Sequence, residues 1–251
     1  MGDTNSQVVE ILKENEYKLV ELHNSERSRF VAKTFRGHGR DDCLRNAAHT
    51  YASLELLNRE FANELDTPEV LSLKDCTVTM RFMSELPNAR QFGFAELPLA
   101  EAFFRRCYDL PLKTEDLGSL ESSVWITEKC LQLMKSGFPL RLGFKGDLYE
   151  NLRVHNDSVL IADSETACLE PLGLSELSLY ILISSRPINL FKPQRVDRIA
   201  RPIAYDYLDN RQIHGLIDAA IEFEGAQMAH LPGPIGEFKL HRARKLLVEL
   251  I

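Results

Sequence analysis

The chain has 251 residues, 44% hydrophobic and 27% charged, enough to bury one substantial core or two small lobes. Its 37 acidic and 30 basic residues leave a formal charge of −7, which argues against a nucleic-acid binder. No stretch approaches the ~18 consecutive apolar residues of a membrane span, and the polar start from Met1 to Gln7 lacks a secretory pattern, so a cytoplasmic location is expected.

The first 35 residues read as three short strands, Val8–Leu12, Tyr17–His23 and Arg29–Phe35, separated by polar turns. An antiparallel meander is the economical arrangement. Asp41-Asp42 then offers an acidic helix start, and Leu44, Ala48, Tyr51, Leu54 and Leu57 recur at helical intervals toward Leu65, with Pro68 as the stop. Two further strands follow, Val70–Leu73 and Thr77–Met83, with Lys74-Asp75 between them. The order to this point is β-β-β-α-β-β.

From Ser84 onward Pro87, Pro98 and Pro111 punctuate short helical pieces such as Leu99–Tyr108. The periodicity predicts a helix over Ser119–Ser136, with Leu120, Val124, Thr127, Leu131 and Met134 on one face and Gly137 as its stop. Leu152–Val154 and Val159–Ala162 read as a tight hairpin, and the chain after Gly173 as helical. Cys43, Cys76, Cys107, Cys130 and Cys168 are scattered, with no CxxC pair and no zinc-ligand spacing, and read as reduced packing residues.

Phosphoryl transfer needs a cation on the phosphates, oxygen ligands for Mg²⁺, and a base that orients the attacking hydroxyl. Lys33 ends the third strand, from which its ammonium can reach phosphate oxygens; a surface charge, common for a strand lysine, is the alternative. Glu55 lies on the line of Leu44, Ala48 and Tyr51; an acid buried there needs a partner, and Lys33 is suitable. Glu60 is the competitor for that role. Asp147 sits in a loop expected to follow a buried helix. Asn151 opens the hairpin and Asp163 follows its second strand, so two oxygen ligands converge at one end, as Mg²⁺ prefers. For any one of these three residues, an Asx-turn or capping role is the alternative.

This order of residues resembles the aminoglycoside phosphotransferase and choline kinase branch of the protein-kinase-like superfamily. That family has a strand-borne Lys, a helix Glu, a His-Gly-Asp loop with a downstream Asn, and an Asp after a hydrophobic strand. The resemblance is specific at residue level over 144–165 and follows the order of elements over residues 8–180. It implies an α+β, two-lobed fold: a small antiparallel-sheet N-lobe with one helix, residues 1–84, and a mainly helical C-lobe, residues 85–251. By position, Lys33 resembles the phosphate-binding lysine, Glu55 its ion-pair partner, and Asp147 the catalytic base. Asn151 and Asp163 resemble the Mg²⁺ ligands. The implied cofactors are ATP and Mg²⁺.

A helix begins near Gly173, soon after Asp163, and no Ala-Pro-Glu follows. That favours a small-molecule or glycan hydroxyl over a protein as acceptor of the γ-phosphoryl group. Glu96, Glu101, Glu170 and Glu176 stand in the region that would meet this acceptor, where solvated helix faces explain them equally well. Lys145 replaces the family's His, the step from Asp147 to Asn151 is one residue short, and the Lys13–Glu16 turn has no glycine. These features support the alternative of a pseudokinase-type binding or regulatory module; an unrelated α+β protein is the third reading.

Overall fold

A computed structural model of the chain describes residues 6–25, 28–37, 39–61, 65–84, 88–112, 126–144, 151–161, 166–185, 200–227 and 233–251. They fall into two units: residues 1–89 with 160–165, and residues 90–159 with 166–251.

In the first unit the elements are β1 (Gln7–Glu14), β2 (Lys18–Asn24), β3 (Arg29–Phe35), α1 (Arg40–Glu60), β4 (Leu65–Asp66), β5 (Val70–Lys74) and β6 (Thr77–Arg81). A five-stranded sheet runs in the order β1-β2-β3-β6-β5, antiparallel throughout. The expected strands lie within two residues of the observed ones, because each run is apolar or alternating in character and is bounded by turn residues. The turn between β5 and β6 falls at Asp75-Cys76 rather than Lys74-Asp75, with Asp75 at φ 50°.

Helix α1 packs against β3, β5 and β6. Its buried positions include Cys43, Ala47, Thr50, Leu54 and Leu57, spaced i, i+4, i+7, i+11 and i+14. The expected stripe was thus offset by one residue over its first half. Ala48 is exposed, while Leu44 and Tyr51 are only half-buried. The helix stops at Glu60, well before Pro68, and the N–H of Phe61 bonds back to the Leu57 carbonyl. Phe35, Cys43, Ala47, Leu54 and Val78 form the core between helix and sheet.

The second unit contains β7 (Arg90–Gln91), α2 (Leu97–Asp109), α3 (Glu128–Lys135), β8 (Leu140–Phe144), β9 (Leu152–His155), β11 (Ala167–Pro171), α4 (Leu174–Ser184), α5 (Asn210–Gln227) and α6 (Gly233–Glu249). Strand β10 (Ser158–Ile161) straddles the division and forms the expected hairpin with β9. Asn156 and Asp157, at φ 46° and 60°, make its turn, residue types that tolerate the left-handed region. Helix α4 is buried almost all round, and α5 and α6 pack against it. Gly173 precedes it at φ 92°, and a Cβ there would lie 2.5 Å from the Ala204 Cβ.

Two expectations are corrected. The helix expected over Ser119–Ser136 is Glu128–Lys135; Thr127, placed on its apolar face, instead caps it, its hydroxyl accepting the Cys130 N–H at 3.5 Å. Residues 119–125 lie outside the described residues. The segment before the Asp147 loop is not a helix but strand β8, antiparallel to β11. Both are only five residues long; Leu140–Phe144 alternates too briefly to separate from helix, and Ala167–Pro171 is buried throughout.

Candidate functional site

Lys33 is placed by the register of the sheet. It stands opposite Val78 of β6 and Val20 of β2, and residues directly opposite in a ladder share a face. Val78 is fully buried in the α1 core, so Lys33 rises from the inner face of the sheet and is itself only 5% exposed. Its ammonium lies 5.4 Å from the centroid of the Phe35 ring, two residues along the same face. An ammonium in such a setting is stable only with anions to compensate it.

Glu55 is not on that inner face. It is exposed, and its carboxylate accepts the Tyr51 hydroxyl at 2.7 Å, a hydrogen bond that pushes the Tyr51 phenol above its ordinary value. Among the described residues no ion pair joins Glu55 to Lys33. The competing acid, Glu60, is half-buried one turn further on and pairs with Arg59 at 2.8 Å. Its position follows Ser53, Leu56 and Leu57, all buried.

Asn151 is half-buried, has helical backbone, and directly precedes β9. Asp147 and Asp163 lie outside the described residues. Strand β8 ends at Phe144 before the segment with Asp147; β10 ends at Ile161 before the segment with Asp163. Both end residues are at most 1% exposed.

The turn joining β1 and β2 is organised by Asn15. Its Oδ1 accepts the N–H groups of Tyr17 and Lys18 at 2.9 and 2.8 Å, and its own N–H donates to the Lys18 carbonyl at 3.0 Å. A phosphate-cradling turn presents free amides to its ligand; here three amides are already engaged.

Solved structures share this arrangement of elements. The chain is similar to aminoglycoside phosphotransferase APH(4)-Ia, crystallised as a ternary complex with AMP-PNP and hygromycin B, at 13% identity and a TM-score of 0.51, covering 95% of this chain and 92% of that one. LicA, in complex with AMP, superposes at a TM-score of 0.53 with 11% identity, over 99% of this chain and 94% of its own. Amicoumacin kinase hAmiN, in complex with AMP-PNP, Ca²⁺ and Ami, gives 0.54 and 11%, over 97% and 88%. The chain has the protein-kinase-like fold. No protein-family profile and no curated protein sequence matches it.

Within this kinase-like fold, the acids of the second unit have roles that the sequence did not reveal. The Glu176 carboxylate is fully buried and accepts three hydrogen bonds: from the Tyr108 hydroxyl at 2.9 Å and the N–H groups of Ile203 and Ala204 at 2.7 and 3.0 Å. Burial pushes it up to about 7 despite those donors. Glu170, also pushed up to about 7 by burial, accepts the Ser175 N–H at 2.7 Å. Neither is on a solvated helix face. Glu96 bonds the Gly93 N–H at 2.9 Å, and Glu101 accepts the Tyr180 hydroxyl at 3.4 Å. The only sequence signal for Glu176 was its place in the otherwise uncharged run Leu174–Ser184.

All five cysteines carry free thiols, four of them buried. Among the described residues no cluster of three metal-binding side chains occurs, and no helix is long and apolar enough to cross a membrane.

Proposed function

We propose that the protein is an ATP- and Mg²⁺-dependent phosphotransferase that moves the γ-phosphoryl group to a hydroxyl of a small molecule or glycan. The observation that carries this reading is the buried ammonium of Lys33 on the inner face of the antiparallel sheet of a kinase-like fold. A strand-borne cation of this kind suits phosphate oxygens, whose charge offsets the loss of hydration. The kinase-like structures similar to this chain include complexes with AMP-PNP and with AMP.

The roles proposed for the chain's residues follow from their chemistry. Lys33 holds phosphate oxygens. Asn151, half-buried at the entry to β9, offers an amide oxygen, and Asp163 a carboxylate, a donor set that suits Mg²⁺ with water and phosphate completing its shell. When bound, the metal would neutralise charge on the phosphates. Asp147 accepts the proton of the acceptor hydroxyl and orients its oxygen for in-line attack. Glu60, rather than the exposed Glu55, is the acid on α1 best placed to support Lys33.

The test separates binding from transfer. Asp147→Asn is expected to abolish transfer while ATP affinity stays largely unchanged, and Asp163→Ala to weaken Mg²⁺-dependent ATP binding itself. Equal losses of binding in both variants would contradict this division of roles.

One observation favours a second reading, a pseudokinase-type binding or regulatory module. The Asn15 side chain occupies amides of the glycine-free β1–β2 turn that would otherwise face a phosphate. ATP binding without turnover, over a panel of hydroxyl-bearing acceptors, is the outcome that selects it.

A further inference from the structure

Lys18, like Lys33, is a buried lysine of the first unit. It opens β2 directly opposite Phe35, while Lys33 stands opposite Val20, two residues further along β2. Residues directly opposite share a face, as do positions two apart in one strand, so both lysines rise from the inner face. Lys18 is 9% exposed and Lys33 5%. They are diagonal neighbours in the ladder, about 7–8 Å apart. Phe35 adjoins both, opposite Lys18 and with its ring centroid 5.4 Å from the Lys33 ammonium. Like charges set this close on a face withdrawn from water repel one another and lose hydration. The packing of β2 does not require this, since an apolar side chain at position 18 would continue the row of Val20 and Leu22. An anion bound between the two offsets both costs.

The turn before β2 supplies a second, independent observation. The Asn15 Oδ1 accepts the Lys18 N–H at 2.8 Å, and the Lys18 carbonyl accepts the Asn15 N–H at 3.0 Å. The backbone here is closed on itself, and that closure fixes Lys18 as the first residue of the strand with its side chain inward. A turn whose amides are engaged offers a phosphate an ammonium instead. Lys13 of β1 also stands opposite Val20, but it is exposed. Glu14, next to it, is paired with Arg36 at 2.9 Å, and Glu21, opposite Ala32, falls on the other face of the sheet.

We infer that Lys18 is a second phosphate-binding residue, which with Lys33 makes a two-cation site for the polyphosphate of a nucleotide. The inference rests on the phosphotransferase reading for the nucleotide, though not for the anion site. Two ammonium groups at this separation suit a chain of phosphates better than a single one. Each takes oxygens of a different phosphate through charge-assisted hydrogen bonds. A monophosphate held at Lys33 leaves Lys18 unused. Lys18 therefore sets the preference for a triphosphate over a monophosphate, which the glycine-free turn does not supply through its backbone.

Calorimetric titrations of ATP, AMP and inorganic tripolyphosphate, all with Mg²⁺, compare the wild type with Lys18→Met and Lys13→Met. Lys18→Gln takes the place of Lys18→Met should the latter fail to fold. Lys18→Met is expected to weaken ATP and tripolyphosphate about tenfold and to leave AMP within about twofold of wild type. Lys13→Met should leave all three within about twofold, because an exposed ammonium keeps its water. An ATP affinity that Lys18→Met leaves unchanged, or lowers no more than Lys13→Met does, overturns the inference alone. Equal losses for ATP and AMP also overturn it, since they report a disturbed sheet rather than a lost phosphate contact. A wild type that takes tripolyphosphate through Lys18 but no nucleotide overturns the phosphotransferase reading and keeps the anion site. One that takes neither overturns both.

Discussion

Lys33 stands directly opposite Val78 in the β3–β6 ladder, so a charged side chain shares its face with a fully buried apolar one. A surface lysine would have occupied the other face. An inward lysine in an antiparallel sheet is costly to hold, and the proposed phosphate-binding role would use it.

Lys33→Met tests that account. Methionine fills similar volume without the charge, and replacing buried ionic groups by apolar ones is often neutral or stabilising. Thermal stability is therefore expected to hold or rise, while ATP affinity falls at least about tenfold, or roughly 1.4 kcal/mol. Unchanged affinity in calorimetric titration would remove Lys33 from the site.

Glu55 and Glu60 are expected to separate. Glu55→Ala deletes an exposed partner of Tyr51, and its effect on both stability and ATP binding is expected to be slight, within about 0.5 kcal/mol. Glu60→Ala should weaken ATP binding, since its half-buried carboxylate is the acid proposed to support Lys33. The two variants titrated side by side decide the matter, and the reverse order would restore Glu55.

Asn15→Gly bears on the turn between β1 and β2. Losing the side chain frees the Tyr17 and Lys18 amides, and glycine admits close approach of phosphate. Tighter ATP binding is the expected outcome, at some loss of stability. A fall in affinity would mean that the Asn15 turn already serves the nucleotide.

The buried carboxyls set a pH dependence of stability. Glu170 and Glu176 rise from an ordinary 4.5 to about 7 in the folded protein, chiefly through burial. The native state therefore binds their protons more tightly than the unfolded chain does. Their contribution to stability is full below about 4.5, falls as pH rises toward about 7, and is level above that. Thermal melts should show this downward slope, and Glu170→Gln should flatten part of it. A slope unaffected by the substitution would assign the pH dependence to other groups.

The sheet of the first unit was legible because β2, β3 and β6 alternate in character between polar turns, and the β9–β10 hairpin because Asn156 and Asp157 announce its turn. Strands β8 and β11 were not, since Leu140–Phe144 and Ala167–Pro171 are runs of only five residues, the second buried throughout, which periodicity does not distinguish from helix. Helix α1 was placed correctly but its inner face was misread. Small residues such as Cys43, Ala47 and Thr50 fill the core, while the larger Leu44 and Tyr51 sit at its margin. That one-residue offset also explains why Glu55 looked buried. The strand pattern put Lys33 on β3 but left it open to a surface position; its inward face opposite Val78 is fixed only by the sheet register. The partners of Glu170 and Glu176 could not, because Ile203, Ala204 and the space over Gly143 are brought to them only by tertiary folding.

The most direct measurement is calorimetric titration of ATP into the purified protein, with Mg²⁺ and with EDTA, on wild type and on Asp163→Ala. The account predicts binding to the wild type that requires the metal and is lost in the variant. Absence of heat with any nucleotide at millimolar concentrations, or binding indifferent to both EDTA and Asp163, would contradict it.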